Sequence, residues 1–262
     1  MVRNAEHGMK FHLLRWKPFG APVMRLIENM DNKEPISVVF SRLQSLLCSD
    51  VYQKNLAFWH KAWNGVKQPY TQMPDLSYLP SIPTLLKADH AVRVLDLGCG
   101  SGWLSIYLAR EGFAVTGVDI ADHALELAQM WAKNEDLSIK FDIADLADMK
   151  YEENAFDGIV ANSIFEHLTY DLALGTMLTL QSILKPGGIF IGCFDKVGTG
   201  PGEYFKLEDG TQVYTDKGRS GMMLRCFSDD ELKEFFSAWQ IEKFETLESG
   251  SRFIVAKLPA AV

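Results

Sequence analysis

A five-residue loop limits what this chain can become more than any other stretch of it. Gly98-Cys99-Gly100-Ser101-Gly102 lies between an apolar run, Val92-Arg93-Val94-Leu95-Asp96-Leu97, and a segment from Trp103 to Arg110 that reads as a helix. Glycines at these positions let the backbone turn sharply and approach a ligand closely, while the helix start offers unpaired N–H groups and the positive end of the helix dipole. A strand, a glycine loop and a helix in that order form a cradle for a nucleotide cofactor, which an isolated glycine match would not establish.

The segments that follow keep the same rhythm. Strands are expected at Phe113–Val118, Ile139–Asp142, Phe156–Ala161 and Ile189–Phe194, with helices at Ala121–Lys133 and Tyr170–Leu184. Such alternation builds a parallel sheet covered by helices on both faces. Near the end, Ile241–Leu247 and Phe253–Lys257 flank the turn Glu248-Ser249-Gly250-Ser251, a hairpin that makes the last pair antiparallel. The expected fold is therefore α/β: a doubly wound, mostly parallel seven-stranded sheet with an antiparallel C-terminal hairpin.

Upstream, residues 1 to about 34 show no sustained period and read as an irregular leader. Val39, Phe40, Leu43, Leu46 and Leu47 recur at helical spacing from Ile36 to Cys48, and Ser49-Asp50 can cap a second helix ending near Gly65. Pro69, Pro74, Pro80 and Pro83 then suggest an extended connector. This places a leader and helical cap at 1–83 and the core at 84–262, with an insertion at about 195–225.

With 47% hydrophobic and 23% charged residues, the chain is expected to bury a core. A formal net charge of -8 argues against nucleic acid as a partner. No apolar run is long enough to span a membrane. The cysteines, Cys48, Cys99, Cys193 and Cys226, are scattered and have no metal-ligand spacing, so no metal site is expected. With neither a disulfide framework nor a secretory leader evident, the expected compartment is the cytoplasm.

A dinucleotide fingerprint would need a third glycine where Trp103 stands. Instead, Asp96-Leu97-Gly98-Cys99-Gly100-Ser101-Gly102 resembles the first motif of the class I S-adenosylmethionine-dependent methyltransferases. The resemblance continues through Val118-Asp119-Ile120, Asp142-Ile143-Ala144-Asp145-Leu146, Asn162 to Leu168, and Leu184-Lys185-Pro186-Gly187-Gly188. It implies S-adenosylmethionine as cofactor, with Asp96, Gly98, Cys99, Gly100 and Gly102 around its aminoacyl part. Asp119 and Ile120 would meet the ribose, Asp145 and Leu146 the adenine, and Asn162 the methionine end. A carboxylate suits a vicinal diol because it accepts from both hydroxyls. Capping the next helix is the other reading of Asp119, and Asp142 competes with Asp145.

The resemblance implies methyl transfer to a small-molecule acceptor, leaving S-adenosylhomocysteine. An NAD(P)-dependent oxidoreductase, or a cofactor-binding protein without turnover, is the alternative. His167 is the candidate general base, since imidazole titrates near neutral pH, or else a structural histidine; Glu166 beside it is expected to face solvent, orienting the imidazole being its other reading. Trp59 and Trp63, together with Tyr204, Tyr214, Arg219 and Arg225 of the insertion, are the candidates for lining the acceptor. Helix packing for the tryptophan at 59 and ordinary surface charge for the arginines are the competing readings.

Overall fold

The computed structural model describes residues 36–196 and 202–260. The leader expected at 1–34, and Gly198 and Gly200 of the insertion, lie outside them. Two helices come first, α1 (Ile36–Leu47) and α2 (Asp50–Asn64). Ser49 caps α2 by accepting from the Tyr52 amide, and Gly65 follows its last residue, as the sequence indicates.

Prolines hid the next helix, α3 (Ser81–Ala88). Pro83 falls in its first turn, where a missing N–H breaks no helical hydrogen bond. From there the expected order holds: β1 (Arg93–Leu97), α4 (Trp103–Arg110), β2 (Ala114–Asp119), α5 (Asp122–Asn134), β3 (Lys140–Ile143), β4 (Phe156–Asn162), α6 (Tyr170–Ile183) and β5 (Leu184–Phe194). The Leu184–Gly188 segment, expected as a turn, is the irregular start of β5. Leu184 pairs with Phe156, the register then shifts, and Gly187 takes a φ of +79°.

The insertion is not a plain loop. It holds a small antiparallel sheet of β6 (Tyr204–Lys206), β7 (Gln212–Tyr214) and β8 (Met223–Leu224). After it come α7 (Asp229–Phe235), β9 (Gln240–Thr246) and β10 (Arg252–Lys257). Ser228 and Glu231 form the capping box of α7.

The main sheet has the order β3-β2-β1-β4-β5-β10-β9. β1 to β5 run parallel, and β10 is antiparallel to both of its neighbours. Alternate residues feed opposite faces, as a period of two requires. Leu95, Ile159, Phe190 and Ile254 pack under α6 and α7, whereas Val94, Val160, Ile191 and Val255 pack under α3 and α4. Each fully buried side chain of this size contributes roughly 1.5–3 kcal/mol. The chain leaves β1 for β2 on one side and returns to β4 on the other, so the crevice of an open α/β sheet lies at the carboxyl ends of β1 and β4. Among the described residues no helix is long and apolar enough to cross a membrane.

Candidate functional site

The glycine loop closes β1 at that crevice. Gly100 and Gly102 have φ of +51° and +87°, a region that L side chains rarely adopt. A Cβ on Gly102 would lie 2.8 Å from Ala128, so this glycine lets α4 approach α5. A Cβ on Gly100 would lie 2.8 Å from the Trp63 ring, which α2 holds over the loop.

Asp119, at the end of β2, supports the loop from the side. Its Oδ2 accepts from the Gly100 amide at 2.9 Å and its Oδ1 from the Ala121 amide at 2.9 Å. Burial pushes its carboxyl up, against the hydrogen bonds from Ala121 and Gly100. Each oxygen keeps a further lone pair for a ligand. Asp119 does not cap α5; Ala121 holds that position. Beneath the loop, Asp96 accepts from Ser105 Oγ at 2.6 Å, and burial drives its carboxyl up to about 7. Asp96, Cys99 and Gly102 thus hold the loop from behind and are not on the cavity wall.

The cavity above the loop brings Gly98, Gly100, Asp119, Ile120, Asp145 and Leu146 together with Trp59, Trp63 and His167. Asp145 Oδ1 accepts from Tyr52 Oη at 2.7 Å and from the Ala147 amide at 2.9 Å. Asp142 turns away to Lys140 and Tyr151. Asn162 is beside the cavity rather than on its wall, accepting from Tyr78 Oη and donating to Ser163 Oγ at 3.2 Å. His167 is packed edge-on against Trp59 with ring centroids 4.4 Å apart, and its Nδ1 lies 3.1 Å from the Met223 carbonyl. Burial holds its imidazole below the usual histidine range.

Glu166 corrects the expectation of a solvent-facing side chain: it is 2% exposed. One oxygen accepts from the Asp195 amide, the other has no partner among the described residues, and burial pushes the carboxyl up to about 8. The insertion residues also depart from their expected place. Tyr214 is buried beneath the Arg219 guanidinium, Tyr204 packs on Tyr214, and Arg225 is buried in ion pairs with Asp209 and Glu231. None of these four lines the cavity.

Sequence reasoning missed Tyr52, Asn55 and Leu56 on the wall, and it named Ser163, Ile164 and Leu168 only as part of the segment after β4. The first three had a signal. Positions 52, 55, 56, 59 and 63 form one stripe of a helix with 3.6 residues per turn, yet only its tryptophans drew attention.

Comparison with known proteins agrees with this geometry. Residues 94–188 match the family model described as a methyltransferase domain. A human protein named ubiquinone biosynthesis O-methyltransferase, mitochondrial, is 32% identical over 179 residues, covering 62% of this chain and 48% of that protein. The chain spans about half the length of the curated relatives it matches. A solved Pyrococcus horikoshii structure superimposes with a TM-score of 0.60 at 22% identity, covering 75% of this chain and 98% of that one. The Burkholderia thailandensis 1,6-didemethyltoxoflavin-N1-methyltransferase, solved with bound 1,6-didemethyltoxoflavin and S-adenosylhomocysteine, gives a TM-score of 0.51 at 18% identity, covering 92% of each chain. At such identities the structures speak for the fold. Residues 94–188, which carry the glycine loop, thus match a methyltransferase domain, and the solved methyltransferase structures share the fold built around it.

Proposed function

We propose that the protein transfers a methyl group from S-adenosylmethionine to a hydroxyl of a small, largely apolar acceptor, with His167 as general base. The observation that carries this reading is a single cavity lined by the glycine loop, the carboxylates of Asp119 and Asp145, and the His167 imidazole. The residues fit the cofactor: the surface of Gly100 is one a Cβ would obstruct, and Asp119 offers lone pairs to a diol. When bound, the cofactor supplies an electrophilic methyl on a sulfonium.

Everything else falls to the chain. A carbonyl oxygen only accepts, so the contact with Met223 places the proton on Nδ1 and leaves His167 Nε2 with its lone pair. That nitrogen can take the acceptor's hydroxyl proton as the oxygen bonds to the methyl, and S-adenosylhomocysteine departs. Trp59, Trp63, Leu56, Ile164 and Leu168 give the walls a flat, apolar character suited to an aromatic acceptor. The O-methyltransferase name of the human relative points the same way. Alignment of the two reactants supplies much of such a rate. In this reading residues 36–83 act as a cap, the core follows from 84, and four free cysteines fit a cytoplasmic setting.

The test is His167→Gln, assayed with radiolabelled S-adenosylmethionine against a panel of phenols and catechols. Turnover should fall roughly 10²- to 10⁴-fold, the span for loss of a general base, with S-adenosylhomocysteine affinity preserved. A folded variant with full turnover would remove His167 from the chemistry.

A further inference from the structure

Asn55 lies on the inner face of α2, 2% exposed, and both ends of its amide are used. Its Nδ2 donates to the His167 carbonyl at 3.0 Å, and its Oδ1 accepts from the Met223 amide at 2.9 Å. The same Met223 receives His167 Nδ1–H on its carbonyl. Three hydrogen bonds therefore close a ring through α2, the turn of 3₁₀ helix Phe165–His167, and β8. The orientation of the amide is not arbitrary. Turned over, it would set NH₂ against N–H and oxygen against oxygen.

We infer that Asn55 is a positioning residue for His167, acting with Met223 to lock the imidazole in its Nδ1–H tautomer and keep Nε2 unprotonated toward the cavity. The inference rests on His167 being the base. Met223 is suited to the task because its neighbour Met222 gives its carbonyl to Tyr214 of β7, leaving the Met223 backbone groups on the outer edge of the small sheet. Asn55 seats that edge against the core. One turn further along α2, Trp59 packs on the ring itself, so a single helix holds both the backbone and the imidazole of His167. Burial disfavours the charged imidazolium, which leaves a choice between two neutral tautomers, and the ring of bonds makes that choice. Asn55 and Met223 both lie outside the matched residues 94–188. The device thus belongs to the cap and the insertion, which together set the base for the acceptor they enclose.

The experiment is nitrogen NMR of the full chain labelled with ¹⁵N-histidine, the His167 signals being assigned by their loss in His167→Gln. Wild type above pH 7 should show the Nδ1–H form alone. Asn55→Ala and Asn55→Ser, judged folded by a cooperative melting transition, should show both tautomers in exchange. A wild type carrying its proton on Nε2 would overturn the inference, as would a folded variant that keeps Nδ1–H alone. Failure of both variants to fold would make Asn55 a purely structural residue and overturn it too. If the tautomers behave as stated while His167→Gln keeps full turnover, the base reading fails and the positioning ring stands.

Discussion

Asp119 serves two partners at once. Its carboxylate holds the Gly100 and Ala121 amides in place, and its remaining lone pairs face the cavity. Asp119→Ala should therefore weaken S-adenosylhomocysteine by about 1–3 kcal/mol, the range for buried polar groups left unpaired, and should also lower the melting temperature. Asp119→Asn keeps one acceptor oxygen, so it should recover more of the melting temperature than of the affinity. Calorimetry and thermal melts on both variants would separate these effects, and unchanged affinity in the alanine variant would take Asp119 out of the binding site. Gly100 tests the loop differently. A valine there meets both the Trp63 ring and a φ of +51°. Gly100→Val should abolish binding, and the double variant with Trp63→Ala should not restore it, because the backbone strain persists without the ring. Restored binding in the double variant would show that only the ring contact matters.

At the scale of elements, α2 is joined to the rest of the fold through a stripe of side chains and through His60 against Asp122 at the start of α5. Tyr52→Phe removes the hydroxyl that donates to Asp145 and leaves the packing intact. Stability to urea should fall by about 0.5–1.5 kcal/mol, a typical net value for one hydrogen bond; no change would mean that water replaces the hydroxyl fully. The strands and helices of the core were legible because each carries its period and its punctuation in sequence. Ser228 to Glu231 spells out a capping box, and the run from Val94 to Leu97 is too apolar for a surface position. Elements defined by tertiary partners were not. β6 and β7 are three residues each and β8 two, too short for alternation to show, although Asp209-Gly210 in the turn between β6 and β7 was a hairpin signal left unread. Asn55 looks like an ordinary polar residue of a helix until Met223 and His167 come to it across the fold. In the same way, Tyr204, Tyr214, Arg219 and Arg225 have the composition of a binding surface, but it is spent on holding the small sheet together.

For the molecule as a whole, the pair Glu166 and His167 makes stability depend on pH in opposite senses. The folded Glu166 carboxyl sits near 8 against an ordinary 4.5, so the folded state holds a proton that the unfolded chain releases. Its contribution is complete below about 4.5 and is lost as pH rises through about 8. His167, held below 6.5, contributes above that value and loses its contribution as pH falls through its folded pKa. Asp96, raised to about 7, acts in the same sense as Glu166. The melting temperature should therefore drop between pH 5 and pH 8.5 (roughly the window these shifts define), and Glu166→Gln should flatten part of that drop. Scanning calorimetry across the window checks it, and an unaltered slope in the variant would mean that Glu166 is ionised in the folded protein.

The order of the sheet also bears on how the chain is made. β10 lies between β5 and β9 although it is later in the sequence than either. While a ribosome is still producing the insertion and α7, β5 has β4 on one side and an open edge of unpaired backbone N–H and C=O groups on the other. β9 emerges with nowhere to dock until β10 follows it. Unpaired edges recruit other chains, so the nascent protein passes through an interval in which aggregation competes with completion. That interval ends only when the last strand of the sheet slides in beside β5.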